Sequence, residues 1–207
     1  MTFMEKRSFF DQLSQTWDDL VPENFATLAI ETGLNRLPWD VSLHVVDLGC
    51  GTGRLSCSLL KRLGSQGRVT ALDLSPAMVS RAKTRNQDER FGAFVMDAHD
   101  LTLADHSVHW VICFSAWPHF DDKAQVLREC RRVLVPGGLL VIWHAEGPER
   151  INAIHEQLPW PINQDHLESA TELGELMRDE GFQDLVVIEE PSLFWVQGMT
   201  PATESLR

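Results

Sequence analysis

The chain reads as an α/β protein: a doubly wound, seven-stranded, mostly parallel sheet with a reversed last strand and helices at the N-terminus. Three observations predict this. Short apolar, β-branched runs alternate with stretches of helical spacing along most of the chain. The first run, residues 44–48, enters a helix through a glycine-punctuated turn, Gly49-Cys50-Gly51-Thr52-Gly53. The last two runs, 185–189 and 193–198, are joined by so short a link that, if paired, they must be antiparallel.

Before the first strand, Phe9, Phe10, Leu13 and Trp17 fall on one helical face, with Ser8 and Asp11 in an N-cap arrangement. A second helix is expected over 24–31, stopping at Gly33. After the glycine turn, Leu55, Leu59, Leu60 and Leu63 keep helical spacing. The next strand, 68–73, ends on Asp73; Ser75 caps the following helix and Pro76 fits its first turn. A third strand, 92–98, contains Asp97, and a fourth spans 109–114. A helix over 121–134 buries Val126, Leu127, Cys130, Val133 and Leu134, and a fifth strand, 139–144, ends on His144. A helix over 167–180 stops at Gly181.

With 207 residues there is room for one full core and a small appendage. The net charge of −12 argues against general binding to nucleic acid or anionic membranes. The small basic clusters Lys61-Arg62 and Arg81, Lys83, Arg85 read as solvated helix faces. The four cysteines form no Cys-x-x-Cys pair and read as reduced residues of a cytoplasmic protein. The N-terminus lacks the apolar stretch of a signal peptide, and no run is long enough to span a bilayer.

A strand that turns into a helix through glycines sits where open α/β sheets bind ligands, at the carboxyl ends of the strands. The spacing is Gly-x-Gly-x-Gly, without the third glycine of the dinucleotide fingerprint Gly-x-Gly-x-x-Gly, which argues against a nicotinamide or nucleotide-sugar enzyme. Asp73 stands about twenty residues after the turn, where a carboxylate can accept hydrogen bonds from ribose hydroxyls.

The string Val-Val-Asp-Leu-Gly-Cys-Gly-Thr-Gly (45–53) resembles motif I of the class I S-adenosylmethionine (SAM)-dependent methyltransferases, a Rossmann-like family. Leu-Asp-Leu-Ser-Pro-Ala-Met (72–78) resembles its motif II, 109–114 its motif IV, and Arg131 to Gly138 its turn into the fifth strand. Residues 9–18 are similar to the first helix of the ubiquinone/menaquinone-biosynthesis branch. The resemblance implies SAM as cofactor and a small-molecule acceptor. It implies that Gly49, Cys50, Gly51 and Gly53 meet the amino-acid portion of SAM, with Asp47 holding the loop through N–H groups. Asp73 takes the ribose, Asp97 and Ala98 the adenine, and Phe114 and Ser115 lie beneath the methionine part; Leu74 and Met78 are further cofactor-binding residues, and Trp17 helps to close the site. Residues 1–40 are then a helical cap and 41–200 the SAM-binding core.

No Asn-Pro-Pro-Tyr or Asp-Pro-Pro-Tyr string follows the fourth strand, and the cysteines are not those of an arsenite-type enzyme. His119 and His144 follow or end neighbouring strands and are the candidates for general base. Together with His155, and with Asp165 and His166 nearby, they form a candidate divalent-metal set, although the spacings match no strict signature. Trp17, Trp39, Trp117, Trp143 and Trp160 are candidates to line an apolar pocket. A monomer or a homodimer fits the sequence equally. Two other readings stay open: a non-catalytic SAM or metal sensor on the same fold, and a nucleotide-sugar or NAD enzyme, against which the glycine spacing argues.

Overall fold

The computed structural model describes residues 3–202. Seven strands form one sheet: β1 (His44–Leu48), β2 (Arg68–Asp73), β3 (Phe91–Val95), β4 (Val108–Phe114), β5 (Leu134–His144), β6 (Gln183–Glu190) and β7 (Leu193–Met199). Their order is β3-β2-β1-β4-β5-β7-β6. The first five are parallel; β7 runs antiparallel to both β5 and β6. The reversed last strand therefore lies inside the sheet, between β5 and β6.

The helices are α1 (Phe3–Leu13), α2 (Glu23–Leu34), α3 (Arg54–Arg62), α4 (Pro76–Arg85), α5 (Lys123–Val133), α6 (Pro148–His155) and α7 (Ala170–Asp179). They cover both faces, which is why β1, β4 and the end of β5 read as apolar runs rather than alternating ones. On one face α5 and α7 bury Val126, Leu127, Leu173 and Met177. On the other, α2 and α3 bury Ile30, Leu34, Leu55 and Leu59 with Trp143 and Trp195. From β1 the chain winds outward through β2 to β3, then returns to place β4 on the opposite side of β1. The connections thus diverge at the β1/β4 carboxyl ends, the crevice where such sheets bind ligands.

Several local expectations are corrected. Ser8 lies inside α1 rather than capping it, and α1 ends at Leu13, leaving Trp17 in a separate 3-10 turn, Trp17–Asp19. The second helix runs through Gly33 to Leu34. A β-carbon at Gly33 would stand 2.8 Å from the Trp143 indole, so glycine there serves close packing, not termination. Strand β3 ends at Val95, short of Asp97, and β5 begins at Leu134, five residues earlier than its apolar run suggests. Helix α5 starts after its cap Asp122, which accepts from the Gln125 N–H. Helix α7 starts only at Ala170, because Ser169 and Glu172 form a reciprocal capping box.

Candidate active site

The glycine turn is shaped by its neighbours. Gly49, Gly51 and Gly53 all have positive φ. A β-carbon at Gly49 would sit 2.4 Å from Ala116 Cβ, so the loop after β4 presses directly on the turn. Gly49 and Cys50 donate their N–H groups to Leu72 O at 2.8 and 3.0 Å, and Gly53 donates to Cys50 O at 2.9 Å. Gly51 donates to Asp73 Oδ2 at 2.8 Å. These donors are used within the protein, so the turn offers a ligand close approach rather than a ring of free N–H groups.

Asp47, fully buried near the end of β1, accepts from the hydroxyl of Ser56 in the first turn of α3 at 2.5 Å. It is Ser56 that anchors Asp47, where the sequence suggested the N–H groups of the glycine turn. Burial, set against the Ser56 hydrogen bonds, pushes the Asp47 carboxyl up to about 7. Asp73 is half-buried and accepts from Gly51 and, at 2.9 Å, from the Ser75 N–H. Burial raises its pKa against those two bonds. Each oxygen keeps a lone pair for a further donor.

In register, Asp73 pairs with Val95, so Asp97 lies just beyond it on the adjacent strand path. Asp97 Oδ1 accepts from the His99 N–H at 2.9 Å and lies 2.6 Å from His99 Nδ1. His99 Nε2 in turn accepts from the Asp122 N–H at 3.2 Å, fixing this loop; His99 was not among the sequence candidates. Ala98 is buried beneath the loop. Phe114 packs its ring 4.8 Å from Trp143, and Ser115, exposed, has φ 55, a strained conformation at the head of β4. Leu74 is half-buried, whereas Met78 is 1% exposed and belongs to the core.

The N-terminal segment lies over these strand ends. Trp17 Nε1 stands 3.6 Å from where a β-carbon of Gly51 would be, so the indole borders the turn. Asp18 accepts from the Thr52 hydroxyl at 2.6 Å and pairs with Arg54 at 3.3 Å, Arg81 at 3.2 Å and Arg85. Asp11 Oδ1 accepts from the Ser75 hydroxyl at 2.5 Å and the Ala77 N–H at 3.1 Å. These contacts were not legible locally. The basic residues Arg81 and Arg85, read as solvated, turn out to face Asp18. Of the five candidate tryptophans, only Trp17 borders the glycine turn. Trp117 and Trp143 are buried, Trp39 donates to Leu34 O, and Trp160 is exposed.

His119, in the 3-10 turn Trp117–His119 after β4, has its Nδ1 2.6 Å from Asp165 Oδ2. Its ring lies 5.0 Å from Phe10 and 5.1 Å from His155. His155 Nδ1 faces Asp165 O at 3.1 Å. His144 is 2% exposed, packs edge-on to Phe194, and leaves Nε2 without a partner. Burial, with His119, His155 and Lys123 close by, pushes its pKa down to about 3. So weak a base has little driving force for proton removal near neutrality, which revises the sequence expectation for His144. The metal expectation is revised too: among the described residues no three His, Cys, Asp or Glu side chains are grouped to hold an ion. The carboxylate that might have joined them, Asp165, already has one oxygen on Lys6 and the other on His119. A cleft of about 500 Å³ beside the start of α6 shares no residue with this site.

A family model described as a methyltransferase domain matches residues 46–142, the stretch that builds β1 through β5. That stretch is similar to the methyltransferase-domain family. Among curated methyltransferases the chain is 28% identical over 183 residues to O-methyltransferase resE of Aspergillus sclerotiorum, covering 82% of this chain and 67% of that one. It is 34% identical over 138 residues to a demethylmenaquinone methyltransferase of Thermotoga maritima, covering 64% and 58%. The chain thus spans about two thirds or less of the length of these relatives. The fold matches a crystal structure of a SAM-dependent methyltransferase from Aquifex aeolicus with TM-score 0.73 at 21% identity, covering 91% of this chain and 97% of that one. Among the described residues, no helix is long and apolar enough to cross a membrane.

Proposed function

We propose that this chain transfers the methyl group of SAM to a small-molecule acceptor of the quinol or phenol kind. The observation that carries the reading is the succession of the glycine turn, Asp73 and Asp97 after the neighbouring strands β1, β2 and β3, the order a nucleoside carrying an amino-acid tail requires. The residues fit that group. Asp73 has lone pairs for two hydroxyls, Gly51 leaves a cradle that a β-carbon would fill beside Trp17, and Asp97 keeps Oδ2 for an exocyclic amine. Ala98 contributes backbone, Leu74 borders the ribose side, and Phe114 and Ser115 floor the tail. Met78 and Cys50 support these groups from the core.

When bound, SAM supplies an activated methyl group on a sulfonium. The chain's own work is to position the acceptor and exclude water. The covering segment, with Phe10 and Trp17, excludes water. His119, beside Phe10, is placed to take a proton from the acceptor. The similarity to an O-methyltransferase and a demethylmenaquinone methyltransferase supports a small acceptor methylated on oxygen or related to quinones. Residues 1–40 act as the cap of the site and 41–200 as its core.

Calorimetric titration with SAM and S-adenosylhomocysteine tests the reading. Micromolar binding is expected, and Asp73→Ala should weaken it about a hundredfold through loss of charged hydrogen bonds. Unchanged affinity in that variant overturns the site. Release of S-adenosylhomocysteine with hydroquinone acceptors separates transfer from binding alone.

A further inference from the structure

Lys6, on α1, is 3% exposed. A lysine is buried to that degree only when its charge is matched. Its Nζ stands 2.7 Å from each of three oxygens: Asp165 Oδ1, Asp121 Oδ1 and the carbonyl of His119. All three ammonium donors are therefore used. Asp165, whose side chain is 2% exposed, presents its other oxygen to His119 Nδ1 at 2.6 Å. The chain Lys6–Asp165–His119 thus links the N-terminal helix to the His119 imidazole.

The protonation pattern follows from the donors. Burial raises the Asp165 pKa, but the hydrogen bonds and charges of His119 and Lys6 outweigh it and leave the carboxyl below its ordinary value. An ionised carboxylate only accepts, so His119 must carry its proton on Nδ1. Among the described residues nothing bonds His119 Nε2, and Asp73 is close enough to feel the ring's charge. One ammonium and two carboxylates, Lys6 with Asp121 and Asp165, leave one negative charge in excess beside the ring. The other titratable groups close enough to feel the charge of His119 are His144 and His155; Lys123, paired with Glu168, acts on His144.

We propose that Lys6 is a positioning residue: docking of α1 locks Asp165, Asp165 fixes the His119 tautomer with Nε2 bare, and the acceptor is one that must lose a proton when methylated. This rests on the methyltransferase reading for the role of the base. In the transfer the acceptor's O–H proton passes to His119 Nε2. The freed oxygen pair forms the bond to the methyl carbon, and the carbon–sulfur pair stays on sulfur. Covering the site and arming its base are then one event, since the same helix carries Phe10 and Lys6.

The test is ring-nitrogen NMR of the full, ¹⁵N-labelled chain, with His119→Gln to assign the resonance. The wild type and Lys6→Arg should show His119 as the Nδ1–H tautomer, and Lys6→Met a mixture of both tautomers. An Nε2–H ring in the wild type, or an unchanged spectrum in Lys6→Met, overturns the proposal. Lys6→Arg guards against a mere folding defect, because it keeps the charge. In turnover of a phenolic acceptor, Lys6→Met should lower kcat about a hundredfold, the usual worth of a placed base, with the SAM dissociation constant changed less than about twofold. Equal losses in kcat and SAM affinity overturn it as well. A wild type that turns over no acceptor counts against the methyltransferase reading, while the ring spectrum still decides the role of Lys6.

Discussion

The Thr52 hydroxyl donates to Asp18 Oδ1 at 2.6 Å, joining the N-terminal segment to the glycine turn. Arg54, Arg81 and Arg85 converge on the same carboxylate, which is only 16% exposed. Asp18→Ala leaves three guanidinium groups without this partner and should cost about 2–3 kcal/mol. Because the segment covers the site, SAM affinity should fall with it. Urea denaturation and calorimetry on the same variant check both effects; an unchanged midpoint would show that the cluster is not coupled to folding.

Gly49 and Gly137 offer a matched pair. Both have positive φ, 74° and 73°. A β-carbon at Gly49 meets Ala116 Cβ at 2.4 Å, whereas at Gly137 it meets nothing within 4 Å. Gly137→Ala should therefore cost about 1 kcal/mol, the backbone penalty alone. Gly49→Ala adds overpacking and should cost about 3 kcal/mol. Equal thermal shifts in the two variants would contradict the close approach of the β4 loop.

Ser75 does two jobs with one hydroxyl. It accepts from the Met78 N–H at 3.1 Å as the cap of α4, and it donates to Asp11 at 2.5 Å. Ser75→Ala should destabilise by about 1–2 kcal/mol, and Ser75→Thr should recover most of that. Chemical denaturation midpoints of the three proteins decide it.

His144 makes stability depend on pH. Its folded pKa, about 3, lies below the ordinary 6.5, so the unfolded chain binds the extra proton first. This contribution is complete above pH 6.5 and is lost as pH falls from there toward 3. The difference in melting temperature between the wild type and His144→Leu should therefore move in the variant's favour by several degrees between pH 7 and pH 4. The variant should also be close to neutral at pH 7, because the Nε2 it removes has no partner. Parallel pH curves would refute the assignment.

Much of the fold could be read along the chain. Strand β2, the glycine turn and the Ser75–Pro76 start of α4 fall where expected, because each is set by short-range chemistry: a buried run, a positive-φ turn, a capping hydroxyl. The N-terminal segment was harder. Ser8 and Asp11 satisfy the cap pattern, yet Asp11 spends its side chain on Ser75, far away in sequence. Gly33 looked like a stop because nothing local reveals that the Trp143 indole lies against it.

The site divides in the same way. The sequence by itself placed the glycine turn after β1 and Asp73 at the end of β2, since strand patterning and turn chemistry act over a few residues, while the family resemblance singled out Asp97. Only the tertiary structure decided which histidine keeps an accessible ring nitrogen. His119 and His144 look alike in the chain, but His144 is sealed beside Phe194 while His119 is held by Asp165 and, through it, by Lys6. Burial and long-range charge pairing set the protonation of an imidazole, and neither is encoded in the residues next to it.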